Sequence, residues 1–269
     1  MPRRFEILLL LPAGVFVLAF LLVPMAVLVP VAGSGRLGWG AYLAVLTEPR
    51  YRATMVSTLM VAAATTVLTL AIATVAAQFL AVRRFLGRDL LVAMLTFPLA
   101  FPGVVVGFMV ILLGGRLGLV GQASEVLGGS RIVFAYSLTG LLVGYLYFSI
   151  PRVILTVMAA VEKFDPSLVE AARSLGAGPW RIQRDVVLPA LAPALTAAGA
   201  LCFATAMGAF GTAFTLATRI DVLPMVIYTE FTLGGNVAIA AALSIALGLV
   251  TWGALAIARN ATGSVAAAG

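Results

Sequence analysis

Long apolar stretches separated by short polar segments make up most of the chain. Most of these stretches reach the roughly 20 residues that a helix needs to cross the hydrocarbon core of a bilayer. The alternation with period two that marks a membrane barrel is absent, so helices must satisfy the backbone hydrogen bonds inside the membrane. The pattern therefore predicts an all-α membrane protein with six transmembrane helices. The predicted spans are residues 7–31, 53–82, 90–113, 132–160, 190–217 and 236–258.

Prolines interrupt two of the predicted spans at membrane depth. Pro98 and Pro102 stand close together in the third span, and Pro151 lies in the fourth. Proline has no backbone N–H, so the freed carbonyls must be buried in protein or face water. We interpret these three prolines as hinge positions.

The composition agrees with a membrane location. The chain has 269 residues, of which 62% are hydrophobic and 10% are charged, whereas a soluble domain has about 25% charged residues. The net charge of +7 comes from bases beside the spans, which indicates orientation in a bilayer rather than binding of nucleic acid. The segments on the side of both chain ends hold more Arg and Lys than the opposite side. This bias predicts that both termini are cytoplasmic.

One segment, residues 161–189, is unusually polar and is called the polar loop below. Asp165 is a suitable N-cap, and residues 167–175 can form a short helix behind it. Gly176 can end that helix in a left-handed conformation. A second helical stretch is predicted to lead back to the bilayer.

The first helix of the polar loop has an apolar face and a charged flank. Glu170 and Arg173 are three residues apart and can pair. An isolated helix this short is marginal in water, so it needs a surface to lie on. Two interpretations stay open from the physics alone: a docking element for another protein, or an ordinary connection with a surface helix. The apolar face consists of Leu168, Val169, Ala172 and Leu175.

The polar loop resembles the EAA loop of permease subunits of type I ATP-binding-cassette (ABC) importers. Val186 stands where that pattern has Ile, which is a mild departure. The wider resemblance, from Arg52 to the end of the chain, is to the five-helix core of these permeases. Within the family, the third span with its two prolines resembles the branch that transports polyamines, phosphonates, sulfate and ferric iron. The matching positions are Glu170, Ala171, Ala172, Gly176, Leu188 and Pro189.

The resemblance implies a division of the chain and a set of partners. Residues 1–52 would form an additional N-terminal helix and periplasmic segment, 53–260 the permease core, and 261–269 a flexible tail. The helix after Asp165 would couple to a cytoplasmic ABC ATPase dimer, with Glu170 as its acidic contact. A second permease subunit would complete the path, as a heterodimer by preference or as a homodimer. A periplasmic binding protein would select the solute.

The resemblance gives only an order of expectation for the solute. A polyamine such as spermidine or putrescine comes first, followed by 2-aminoethylphosphonate, ferric iron or sulfate. The inner membrane is the expected location.

The sequence offers no catalytic or metal-binding set. No phosphate-binding loop surrounds the only lysine, Lys163, so ATP and Mg²⁺ would bind on the partner subunit. The absence of histidine excludes a Ser-His-Asp triad. We therefore expect a transport subunit rather than an enzyme. A stand-alone secondary transporter is the alternative, and it predicts ionisable residues at membrane depth and an internal repeat.

Polar and aromatic residues in two spans are candidates for the transport path. Tyr145 and Ser149 share a face of the fourth span. Phe210, Thr212 and Thr215 follow in the fifth. Helix packing, with hydroxyls bonded to nearby carbonyls, is the alternative for each of them.

Arg152 is the one charge that the sequence places inside a predicted span. It can extend its guanidinium to the cytoplasmic interface or pair with an acid such as Glu162. A contact with the solute is the other interpretation.

Overall fold

The computed structural model describes residues 3–216 and 220–266, and these residues form helices and connections without a β-strand. The all-α prediction is confirmed. The α-helices are α1 Arg3–Val17, α2 Val23–Gly33, α3 Gly40–Thr47, α4 Pro49–Val82, α5 Arg88–Thr96, α6 Gly103–Gly114, α7 Leu119–Val126, α8 Leu138–Val161, α9 Ser167–Ser174, α10 Pro179–Ile182, α11 Leu188–Gly208, α12 Gly211–Leu216, α13 Leu223–Thr232 and α14 Val237–Ala266.

Six helical segments in the described part of the chain are long and apolar enough to cross a membrane. Their number confirms the prediction from the sequence. Their ranges are Leu10–Gly33, Pro49–Val82, Gly103–Val126, Leu138–Val161, Pro179–Gly208 and Val237–Ala258.

The third predicted span, 90–113, is wrong in its position. The structure divides it into α5, a 3₁₀ turn at Phe97–Ala100, and α6. Phe101 and Pro102 between them have extended backbone, with ψ of 130° and 147°. Pro102 cannot donate a helical hydrogen bond, and it restricts Phe101 to extended conformations. The crossing segment therefore begins only at Gly103.

Two π turns each come directly before a residue pair that ends in proline. Leu18–Leu22 precedes Val23-Pro24, and Gln183–Val187 precedes Leu188-Pro189. In each, the residue before the proline donates its N–H five residues back, from Val23 to Leu18 and from Leu188 to Gln183. A proline ring clashes with the carbonyl four residues before it, and a wider turn moves that carbonyl aside. The helix continues across both prolines as a result. The fifth crossing segment consequently begins at Pro179, well before the predicted start at 190.

The chain forms two compact units. Unit 1 contains residues 1–56 and 222–250, and unit 2 contains residues 57–221 and 251–269. The core of unit 1 is formed by small and branched apolar residues, including Ala32, Val45 and Leu243. Its chief polar contact is the side chain of Glu230, only 13% exposed, which lies 3.3 Å from Arg50 and accepts a hydrogen bond of 3.1 Å from Tyr51.

Unit 2 contains the polar loop and most of the helices. Its core joins α4, α8 and α11 through Ala73, Val157 and Cys202, all of which are buried. Ala73, Ala77 and Ala198 in this core permit close approach of the helices. The predicted division at residue 52 differs from this grouping, because 222–250 belongs with the N-terminal unit. Helix α14 reaches Ala266, and residues 267–269 of the predicted tail lie outside the described residues.

Candidate site for coupling and for the transport path

The polar loop begins with a side-chain cap. The carboxylate of Asp165 accepts a hydrogen bond of 2.9 Å from the backbone N–H of Ser167, the first residue of α9. This bond lowers the pKa of Asp165 below its ordinary value. Pro166 fixes the backbone between them at φ −66°. The predicted cap is therefore present, with α9 ending at Ser174, one residue earlier than expected.

Gly176 ends α9 in the predicted left-handed conformation, with φ +79°. The N–H groups of Ala177 and Gly176 donate to the carbonyls of Ala172 and Arg173 at 3.0 and 2.9 Å. These bonds occupy the last carbonyls of the helix, as in a Schellman motif. The Glu-Ala-Ala and Gly positions of the loop thus form one helix end.

The apolar side chains of the loop are largely uncovered. Leu168 is 49% exposed, Leu175 89% and Trp180 78%. The predicted pair of Glu170 with Arg173 is absent, since within the described residues Glu170 makes no ion pair. The carboxylate of Glu170 is therefore available to another molecule, on a surface where apolar groups are also exposed.

Polar contacts fasten the polar loop to the helices beside it. The amide of Gln183 donates to the side-chain oxygen of Gln78 on α4 at 2.9 Å. Arg88 donates to the carbonyl of Leu80 at 2.7 Å and lies 3.8 Å from Glu162. The loop therefore begins and ends at positions tied to α4. Sequence analysis missed the Gln78–Gln183 pair, although both stand out as amides next to apolar spans.

Leu188 and Pro189 lie inside a continuous helical segment, Pro179–Gly208. The π turn before them carries the helix through the Leu-Pro pair. Leu188 and Pro189, the last positions that match the EAA loop, therefore lie within the fifth crossing segment and not before it.

The path candidates on α8 are buried within the subunit. Tyr145 is 2% exposed and donates from its hydroxyl to the carbonyl of Ala209 at 2.7 Å. Ser149 is also buried. Ala209 follows α11 directly, and its carbonyl has no helical donor beyond it. Tyr145 therefore stabilises the break between α11 and α12.

Thr212 and Thr215 of α12 pack on α6. Thr212 donates to the carbonyl of Gly103 at 3.0 Å. The hydroxyl of Thr215 lies 3.2 Å from the carbonyl of Val104 and 3.0 Å from that of Gly211, and these two carbonyls share its one proton. This arrangement matches the packing alternative for both threonines. These bonds also hold α12 against the first residues of α6, which follow the Pro98 and Pro102 interruption. The break between α11 and α12 therefore lies beside the break between α5 and α6.

Phe210 lies half-buried between α11 and α12. Its ring is 5.3 Å from the ring of Phe214. Pro151 is buried within α8. The roles of Phe210 in the transport path and of Pro151 as a hinge stay predictions.

Arg152 does not pair with Glu162 in the structure. Its guanidinium donates to the hydroxyl of Thr205 on α11 at 3.2 Å, and Thr205 in turn donates to the carbonyl of Leu201 at 2.7 Å. Glu162 lies near Arg88 instead. Sequence analysis missed Thr205, whose only signal is a hydroxyl in an apolar span.

No group of three metal-ligating side chains occurs in the described part of the chain. The polar loop presents an exposed, partly apolar surface beside closely packed, interrupted helices. This is the architecture of a membrane-spanning transport subunit.

The chain belongs to the family of binding-protein-dependent transport system inner membrane components, which matches residues 69–261. It is therefore a multi-pass inner-membrane permease subunit of the ABC importer type. It is 32% identical over 214 residues to the molybdenum transport system permease protein ModB of Escherichia coli strain K12, covering 77% of this chain and 92% of the relative. It is 34% identical over 205 residues to the sulfate transport system permease protein CysT of the same strain, covering 76% and 72%.

Its fold is also similar to a solved structure. A chain of a bacterial alginate ABC transporter, crystallised with an alginate-bound periplasmic protein, superposes with a TM-score of 0.81 over 96% of this chain and 93% of that chain. The sequence identity is 18%, so this likeness concerns the fold alone.

Proposed function

We propose that this permease carries a small oxyanion across the inner membrane and that a separate ATPase dimer drives it through the polar loop. The observation that carries the coupling is the surface of α9, where Leu168 and Leu175 are exposed around the free carboxylate of Glu170. Exposed apolar groups on a short capped helix are typical of a helix that docks in a groove.

The substrate class follows from the relatives rather than from the expected branch. Relatives named for molybdenum and sulfate transport support an oxyanion. The polyamine expectation receives no support from them. Sulfate, one of the alternatives named from the sequence, is the better candidate, and a phosphonate has the same tetrahedral oxyanion chemistry. Since molybdenum dissolves in neutral water as molybdate, both relatives point to a divalent tetrahedral anion.

The remaining partners are part of the same proposal. A binding protein on the outer side delivers the solute, in keeping with the family description. A second permease subunit, different or identical, completes the path. Both termini lie in the cytoplasm, so that the polar loop faces the ATPase, and ATP with Mg²⁺ binds there and not on this chain.

Copurification tests the coupling. Glu170→Arg reverses the charge of the free carboxylate without changing the exposed apolar groups, and we expect loss of the ATPase from the complex purified through this chain. Arg84→Glu, at an exposed position outside the polar loop, is the matched charge reversal and should retain the ATPase. Solute uptake that continues without any ATPase would refute the proposal in favour of a secondary transporter.

A further inference from the structure

Arg152 occupies an unusual place for a charged residue. Among the described residues it is the only charged residue that is more than eight residues away from both ends of its α-helix. It lies nine residues before Val161, the end of α8, or about 14 Å from that end at 1.5 Å per residue. A guanidinium at that depth carries a large desolvation cost unless water or a counter-charge reaches it.

The contacts of Arg152 leave its charge without a counter-ion. Thr205 supplies a neutral hydroxyl at 3.2 Å, and no carboxylate lies within 4.0 Å in the described part of the chain. The side chain is exposed in the single subunit. Four of its five N–H donors thus stay open to a ligand.

The direction of the side chain argues against an anchor in lipid headgroups at the nearer end of α8. Side chains of a helix tilt toward its N-terminus, and for Arg152 this is away from Val161. The bond to Thr205 holds the guanidinium beside α11. The position therefore does not let the charge extend to the interface in the usual way.

Arg152 also continues a line of hydroxyl groups. Tyr145, Ser149 and Arg152 follow at intervals of four and three residues and share one face of α8. Arg152 bonds to Thr205 of α11 and Tyr145 to Ala209, the residue that follows α11. Tyr145 and Ser149 are buried, so Arg152 is the member of this face that a solute can reach.

We propose that Arg152, positioned by Thr205, is a transient binding site for the oxyanion inside the transport path. The proposal rests on the proposed function and deepens it. A guanidinium binds a tetrahedral oxyanion through two parallel N–H donors, and a neutral second partner keeps the affinity low enough for release. The charge offsets the cost of moving a divalent anion away from water.

Uptake kinetics provide the first test. The complete transporter, purified through a tag on this chain with its copurifying subunits, is reconstituted in vesicles, and uptake of radiolabelled sulfate and of molybdate is measured. We expect Arg152→Gln to lower kcat roughly tenfold to a hundredfold, the effect of losing a charge-assisted hydrogen bond. KM should change little, because the binding protein captures the solute. Arg152→Lys should retain part of the rate, and Arg84→Gln all of it.

Accessibility to water provides a second test that does not depend on transport. Arg152→Cys should react with a charged, membrane-impermeant methanethiosulfonate. The unaltered protein is the control, since its single cysteine, Cys202, is buried. If Arg152→Gln fails to assemble, Thr205→Val tests the same bond by removing only the hydroxyl, and it should lower kcat less than tenfold.

The outcomes separate this inference from the function. A parent transporter that imports neither anion refutes the proposed substrate class, and the inference fails with it. A parent that imports sulfate or molybdate while Arg152→Gln matches its kcat refutes the inference alone. Absence of thiol labelling at position 152 places the side chain in lipid or in a protein contact, which also overturns it.

Discussion

The polar loop and the packing of α6 against α12 use glycine for opposite reasons. At Gly107 of α6 an added Cβ would come within 2.5 Å of the Cβ of Thr215, whereas at Gly176 of the loop it would meet nothing within 4 Å. Gly107 is needed because there is no room for a side chain. Gly176 is needed because its φ of +79° strains any other residue. The α6–α12 packing is filled by residues of this subunit. The polar loop has a defined turn, but nothing in the subunit covers it.

This difference separates stability from coupling. Contacts inside the α6–α12 packing determine whether unit 2 folds. Under the proposed function, contacts made by the polar loop determine whether the ATPase can bind. Substitutions in the two regions should therefore affect different measurements.

The largest expected effect comes from filling the α6–α12 packing. Gly107→Leu forces the two helices apart and should destabilise the protein by about 3 kcal/mol, at the upper end of the usual cost of overpacking. Thermal unfolding in detergent measures this as a lower Tm. Gly253→Leu is the control, because an added Cβ there meets nothing within 4 Å. An unchanged Tm for Gly107→Leu would show that the two helices are not held at this distance.

A smaller effect is expected at the loop glycine. Gly176→Val costs about 1–2 kcal/mol of local strain and should weaken the end of α9. Binding of the ATPase should fall while the Tm of the membrane part stays unchanged. Gly178→Val is the matched control, because Gly178 has φ −71° and ψ 163°, which valine adopts readily. A variant at 176 that keeps full ATPase binding would show that the turn is not required for docking.

The smallest effect concerns the cap of α9. The pKa of Asp165 is lowered by the N–H of Ser167, so the charged cap stabilises the helix at neutral pH. This contribution is present above the ordinary value of 3.8 and is lost as the pH falls through the lower folded value. Titration of the carboxyl carbon of Asp165 by NMR should give a midpoint below 3.8. A midpoint at or above this value would indicate that the cap does not form in solution.

Sequence patterns predicted the parts of the fold that depend on local chemistry. The number of crossing helices followed from apolar length, and the polar loop followed from Asp165 and Gly176, whose cap and left-handed turn depend on neighbours in the chain. The third span was misplaced because the effect of Pro102 on Phe101 outweighed the continuous apolar pattern. The continuation of the fifth helix back to Pro179 was missed because a π turn has no clear sequence signal.

Contacts between distant residues were beyond the sequence. Arg152 was expected to reach the interface or pair with Glu162, and it bonds to Thr205 instead. The two glutamines Gln78 and Gln183 pair across 105 positions. The functional roles of the polar loop and the path residues stay predictions until partners are bound.

The π turn at Gln183–Val187 connects the polar loop to the membrane in one helix. Because it widens the helix without interrupting it, Pro179–Gly208 is one continuous helix of 30 residues, about 45 Å long. Its C-terminal end, at Gly208, is followed by Ala209, whose carbonyl accepts the hydrogen bond of Tyr145. Under the proposed function, a tilt imposed at the Pro179 end would be transmitted along this helix to the junction of α11 and α12, pivoting where α11 packs on α8.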